Sequence, residues 1–325
     1  MTRDATRSDG IRETCSPAQT HPTGANVIDT QKVDATLAAH RIAGRRFNAA
    51  GINSFVREQG SGETVVLMHG LPTSSFLYRK VIPRLAEQGF RALCFDLPGL
   101  GLADRSVDID YSIRGLSEFT AEAIDALGID EYHLVVHDAG GPIGFQAALA
   151  APERVLSLTV LNTLLSMDHA PFPGEIYGRF SSRFRGVLTS PRLFRELMLR
   201  VGIADPSTLT AEEIDVHRRL LLDADDGAAY LRIMRTLRHK DVGPWHDVVD
   251  RRFVPYPVDV AWGGQDPILS LRRFGLPMLQ ATHLPWLRVM RAKHYLQEDR
   301  PDEVAALIAC NARRAHEPSA VKEMQ

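Results

Sequence analysis

Cysteine is scarce in this chain. There are three in 325 residues, Cys15, Cys94 and Cys310. They make no disulfide framework and no metal-ligand spacing, and Cys94 sits in an apolar run that marks it as core. No apolar run reaches the roughly 18 residues that a membrane span needs. The opening stretch MTRDATRSDGIRETCSPAQTHPTG lacks the apolar segment of a secretion signal, so a cytoplasmic setting is the default expectation. An excess of one charge sign is missing too. The formal net charge is -2, which gives no electrostatic reason to expect nucleic acid or an anionic membrane surface as partner. Internal repeats and low-complexity segments are also absent.

What remains is an ordinary globular composition, 44% hydrophobic and 24% charged, long enough for a large core. Residues 1–43 read as a disordered leader. From Arg45 the pattern tightens into a hairpin around Gly51. TVVLMHG (64–70), RALCFDLPG (91–99), YHLVVHD (132–138) and LSLTVLNT (156–163) are continuous apolar runs, as expected of strands buried on both faces. Helical spacing separates them, including SSFLYRKVIPRLAEQG (74–89), with a serine cap and Pro83 as a point of kinking. This β-α alternation is the mark of an α/β fold with a mostly parallel sheet flanked by helices. It stops near Ser166, gives way to a helix-rich, arginine-rich stretch, and resumes at VDVAWGGQD (258–266). The expected organisation is a core formed by 44–166 and 250–315, a helical cap over 167–249, and a tail from 316 to 325. Such a cap would cover the carboxyl edge of the sheet, where open α/β sheets bind ligands.

Asp138 stands where an apolar strand turns through Ala139-Gly140-Gly141 into a helix. It has two readings. Aspartate is a good helix cap. A sharp strand–turn–helix also exposes its turn side chain and aims backbone N–H groups at the space above it. Serine hydrolases place G-x-S-x-G there, and this chain contains no G-x-S-x-G. An aspartate in that place is already ionised at pH 7 and can displace a leaving group from an sp3 carbon, forming an alkyl ester. A histidine would then activate water against that ester. The N–H groups of Leu71 and Ala139 are the expected oxyanion donors.

Asp266 follows the returning strand and His294 follows the last one. The order nucleophile, acid, histidine is the one expected of a hydrolase built on such a sheet. A lone histidine or a post-strand aspartate is usually structural, but their joint arrival at the right strand ends favours the catalytic reading.

These segments resemble a known family. HGLPTSSFLYRKVIPRLAEQGFRALCFDLPGLGLADR (69–105), HDAGGPIGF (137–145), LNTLLSMD (161–168), WGGQDPIL (262–269) and KHYLQEDRPDEV (293–304) are similar to the epoxide hydrolase and haloalkane dehalogenase branch of the α/β-hydrolases. The resemblance runs from about Arg45 to Arg313. It implies an α/β-hydrolase fold with Asp138 as nucleophile, His294 as base and Asp266 as its orienter. It also implies no cofactor and no metal, a small hydrophobic organic substrate (an epoxide or a halogenated alkane), and water as co-substrate.

The chain departs from the dehalogenases at the two side chains that usually hold the halide. Ala139 replaces their tryptophan, and Leu71 replaces their asparagine or glutamate; neither has a side-chain donor. Val136 stands where a small residue is usual. In the related epoxide hydrolases, tyrosines of the cap protonate the opening ring, and the cap here holds Tyr177 and Tyr230. Each equally suits simple packing. His69 and Pro72 are expected to shape the loop that carries Leu71. Trp245 is a candidate donor or a packing residue, and His137 reads as structural. Epoxide opening is therefore the leading expectation. Halide displacement is the alternative, and a ligand-binding protein without turnover is the reading from another class.

Overall fold

The computed structural model describes residues 28–165, 185–236 and 245–317. Eight strands form one sheet in the order β1-β2-β4-β3-β5-β6-β7-β8. β1 (Gly44–Ala49) and β2 (Ile52–Gln59) are the expected hairpin, and β2 runs antiparallel to β4 (Arg91–Phe95). From β4 onward every pairing is parallel, through β3 (Thr64–Met68), β5 (Tyr132–Asp138), β6 (Val155–Thr163), β7 (Val258–Gly263) and β8 (Arg288–Met290). The fold is thus the expected α/β-hydrolase architecture.

The inner strands read as unbroken apolar runs because both their faces are covered. Every residue of β5 is fully buried except Asp138 at its end, which keeps a small exposed part. Helices α3 (Ile113–Ala126) and α4 (Gly140–Ala150) pack together, as do α2 (Val81–Glu87) and α9 (Pro301–Arg313), and these pairs cover the sheet. β4 and β5 lie on either side of β3, so the strand order reverses there. Ligands of open α/β sheets bind at such a reversal, outside the carboxyl ends of the strands.

Two sequence expectations need correction. Helix α1 (Thr30–Ile42) occupies part of the segment assigned to a disordered leader, whose first 27 residues lie outside the described ones. Asp29 caps it by accepting from the Gln31 and Lys32 N–H groups. Its own pattern is too polar to announce a helix. It is held instead by Val33 and Leu37, which pack with Phe76 and with Val216 and Leu220 of α6 (Ala211–Leu222), far along the chain. The single helix expected over 74–89 is two pieces, a 3-10 turn Ser75–Tyr78 and α2. Pro83 sits in the first turn of α2, where a missing N–H costs nothing, and does not kink it.

Between β6 and β7 the described residues are helical. They include α5 (Pro191–Leu197), a π-turn Met198–Gly202, α6, α7 (Ala228–Thr236) and α8 (His246–Val249). A capping box on Thr210 and Glu213 starts α6. Among the described residues no helix is long and apolar enough to cross a membrane.

Candidate active site

The carboxyl ends of β3, β5, β6, β7 and β8 deliver the candidate residues to one edge. Asp138 adopts φ +51°, a left-handed conformation that costs a non-glycine residue about 1–3 kcal/mol and persists only where its surroundings impose it. Those surroundings are visible. The Thr163 hydroxyl donates to the Asp138 carbonyl at 2.5 Å. A Cβ on Gly141 would run into that hydroxyl, and one on Gly140 would meet the His69 carbonyl at 2.6 Å. The paired glycines therefore let α4 start close against β3 and β6. Gly144, one turn on, gives Val136 its room: a Cβ there would lie 2.9 Å from Val136 Cγ1. The bulk of Val136 is absorbed by the helix and leaves the turn intact.

Asp138 does not cap α4, which has no side-chain cap. Its Oδ1 instead accepts the Leu71 N–H at 2.7 Å, and its Oδ2 lies 3.4 Å from His294 Nε2. Gly70 is required here, since a Cβ would overlap the Asp138 carboxylate. His294 Nδ1 lies 2.8 Å from Asp266 Oδ2. Asp266 Oδ1 accepts the N–H groups of Ile268 and Leu269 at 2.7 and 2.9 Å. The structure thus brings Asp138, His294, Asp266, Leu71 and Ala139 together.

Electrostatics follow from this packing. Burial alone would lower the His294 pKa, but the Asp266 charge and hydrogen bonds to Asp138 and Asp266 override it and push it up to about 10. Burial would raise the Asp138 carboxyl. Its hydrogen bond to His294, that residue's charge and the Ala139 N–H hold it below the ordinary value. Asp266 is lowered in the same way, against its burial, by the His294 charge and by hydrogen bonds from His294 and Asn162. All three shifts run in the direction that favours an imidazolium between two carboxylates.

His69 is fully buried. Its Nδ1–H donates to the Gly70 carbonyl at 3.0 Å and its Nε2 accepts the Leu97 N–H at 3.0 Å, which pins the loop carrying Leu71. Desolvation lowers its pKa, so it stays neutral. Pro72 follows a cis peptide bond in that loop. Tyr230 is buried on α7, whose neighbouring Ala229 packs toward Gly99. Tyr177 lies outside the described residues. Trp245 is fully buried in the main core, its indole Nε1 without a hydrogen-bond partner among the described residues.

Sequence reading missed two residues. Asn162 donates to Asp266 Oδ2 at 2.5 Å and accepts the Gly263 N–H at 2.7 Å, joining β6, β7 and the acid. The signal available was a lone amide inside the apolar run LTVLNT. His137 was read only as structural, yet it is buried against the site, with Nε2 2.9 Å from the His294 carbonyl and ring centroids 4.9 Å apart. Burial, with the His294 charge beside it, lowers its pKa to about 4. It is therefore neutral and donates through Nε2–H. Among the described residues no three His, Cys, Asp or Glu side chains gather as metal ligands.

Residues 63–301 match the family described as alpha/beta hydrolase fold. Haloalkane dehalogenase 2 of Mycobacterium tuberculosis is 28% identical over 270 residues, 77% of this chain and 88% of that protein. Bifunctional epoxide hydrolase 2 of Sus scrofa is 38% identical over 114 residues, 35% of this chain and 20% of that protein. Among solved structures, a bacterial membrane phospholipase A superposes with a TM-score of 0.73 at 20% identity, covering 89% of this chain and 93% of that one.

Proposed function

The chain belongs to the alpha/beta hydrolase fold family and is a hydrolase, and on that premise we propose that Asp138 is its nucleophile and an epoxide its substrate. One observation carries the reading. The Asp138 carboxylate has one oxygen on a backbone N–H and the other facing an imidazole that a second buried carboxylate orients.

In the first step Oδ2 attacks an epoxide carbon, the ring C–O bond breaks, and the alkoxide takes a proton from a cap acid. Tyr177 and Tyr230 are the candidates. The ester carbonyl is then Oδ1. Ester formation removes the Asp138 charge, so one of the two groups that hold the His294 proton is gone, its pKa falls, and its Nε2 proton passes through solvent to the phenolate left on the cap acid. The imidazole becomes a base when a base is needed. It takes a proton from water as the water oxygen bonds to Cγ, and negative charge collects on Oδ1 against the Leu71 and Ala139 N–H groups. One such donor contributes about 3 kcal/mol to a tetrahedral intermediate. Collapse breaks the bond from Cγ to the former Oδ2, which takes a proton from the imidazolium and leaves in the diol, while the new carboxyl proton returns to the imidazole and a solvent oxygen stays in Asp138.

Halide displacement uses the same first attack, and the dehalogenase likeness over 77% of the chain favours it as a second reading. Against it stand Ala139 and Leu71, which offer a departing halide no side-chain donor. The test is to incubate the His294→Gln variant with styrene oxide and, separately, with 1-bromohexane. Intact mass and peptide mapping then report the adduct. An ester on Asp138 from the epoxide alone is the expected result. An adduct from the bromoalkane alone overturns the choice of leaving group, and no adduct from either overturns the nucleophile.

A further inference from the structure

The residues on both sides of His294 are tied to the helical segment between β6 and β7. On one side, the Tyr295 N–H donates to the Gly202 carbonyl at 2.9 Å. The approach is close enough that a Cβ on Gly202 would overlap the Tyr295 ring. On the other side, the Lys293 N–H donates to Asp299 Oδ2 at 3.0 Å. The same buried carboxylate accepts the N–H groups of Ala204 at 2.9 Å and Asp205 at 3.1 Å. The Lys293 ammonium reaches the Leu199 carbonyl at 2.8 Å.

The neighbouring Glu298 repeats the pattern one residue earlier. It is fully buried, accepts His217 Nε2–H of α6 at 2.9 Å, and pairs with Arg79 and Lys80 of the core. The sheet holds this loop less directly. β8 ends at Met290, four residues short of His294. Core contacts beyond the strand are the Gln265 N–H donating to the Ala292 carbonyl at 3.0 Å, Asp266 on the His294 ring, and the His137 bond to the His294 carbonyl.

We propose that Asp299 is a positioning residue for the base, registering His294 against residues 199–205 of the helical segment. The chemistry of a carboxylate suits the task. Four lone-pair directions let one side chain collect N–H groups from two segments that no ladder joins. A hydrogen bond to a charged acceptor is worth more than a neutral one, so the link is stiff. The consequence is an asymmetry between the half-reactions, and this part rests on Asp138 being the nucleophile. Ester formation needs Asp138 and its loop. Ester hydrolysis needs His294 in place. Loosening Asp299 should slow the second step and spare the first.

Two variants test this, Asp299→Asn and Lys293→Met. The first keeps the side-chain shape and turns an NH2 toward backbone N–H groups. The second removes only the ammonium contact with Leu199. A readout independent of substrate is the downfield proton resonance of His294 Nδ1–H, assigned by its loss in His294→Gln. In Asp299→Asn, with circular dichroism showing a folded protein, this resonance should move upfield or broaden away, with a smaller change in Lys293→Met. With styrene oxide, Asp299→Asn should hydrolyse its ester about tenfold or more slowly, since a misplacement near 1 Å costs up to about a hundredfold. Its burst of ester formation should change by less than about threefold on the same reasoning.

An unchanged resonance in both folded variants overturns the proposal, as does equal slowing of the two steps. Should Asp299→Asn not fold, Asp299→Glu, which keeps the charge and displaces the carboxylate, decides by the same criteria. If no adduct ever forms on Asp138, even in His294→Gln, the nucleophile assignment fails while the resonance still judges the positioning role.

Discussion

His137 donates its Nε2–H to the carbonyl of His294 at 2.9 Å, so the residue before the Asp138 turn holds the backbone of the residue opposite it. Both rings are buried. Replacing His137 by phenylalanine strands a buried carbonyl, a loss of about 1–3 kcal/mol. Glutamine keeps a donor and should recover part of that loss. Urea denaturation of the three proteins checks this, with His137→Phe lowest and His137→Gln between it and the parent.

These adjacent histidines also bend stability with pH in opposite directions. His294 has a raised folded pKa, about 10 against an ordinary value near 6.5. Its contribution is complete below the unfolded value and is lost as pH rises from about 6.5 towards 10. His137 and His40 have lowered folded pKa values, about 4 and about 3, through desolvation first and nearby cationic groups second. They bind protons more readily when unfolded, so stability is lost as pH falls below about 6.5. The lowered carboxyls of Asp138 and Asp266 add losses of the same sign at still lower pH. Melting temperature should therefore peak near neutrality. The His294→Gln variant should lose the alkaline fall between about 6.5 and 10 and keep the part of the acid fall that desolvation of His137 and His40 supplies. An alkaline limb of equal slope in that variant would refute the assignment.

Gly141 and Thr163 should behave as a coupled pair. Gly141→Ala drives a methyl group into the Thr163 hydroxyl and so into the bond that fixes the Asp138 carbonyl. Overpacking of this kind costs about 1–3 kcal/mol. Thr163→Ala removes the hydroxyl that the methyl group strikes, along with the bond, and leaves only a Cβ at 2.9 Å, so the double variant should be more stable than the sum of the single losses. A double-mutant cycle on unfolding free energy measures the coupling, expected at about 1 kcal/mol or more.

How much of this was legible beforehand depends on where each residue's partners lie. The inner strands were readable because a strand covered on both faces must be apolar throughout, as Leu134, Val135 and Val136 are. Asp138 and Asp266 stood out because each interrupts the chain just past such a run, and His294 because it follows the last strand in the order nucleophile, acid, histidine. Asp299 was not readable: between Glu298 and Arg300 it looks like one more charge at a helix start, and its partners Ala204 and Asp205 are backbone groups of a distant segment. The break between Tyr78 and Val81 was hidden for a similar reason. Arg79 leaves the local pattern to meet Glu213 and Glu298, and Lys80 to meet Glu298.

Helix α1 is the clearest case of an element whose stability lies elsewhere, and this makes its contribution measurable. Leu37 is buried in a small cluster with Val33, Phe76, Val216 and Leu220, separate from the main core. Asp34 of α1 forms an ion pair with Arg219 of α6, but Asp34 is largely exposed. Exposed pairs contribute about 0–1 kcal/mol, whereas truncating a buried leucine costs about 2–5. Leu37→Ala should therefore destabilise the docking of α1 on α6 far more than Asp34→Ala. Hydrogen exchange can separate the two effects. Amides of α1 and the first turns of α6 should lose protection together in Leu37→Ala, while β5 keeps its own, because the cluster touches the helical segment and not the sheet's centre. Loss of protection in β5 to the same extent would mean that α1 is part of the global folding unit, and the independence argued from the separate cluster would be wrong.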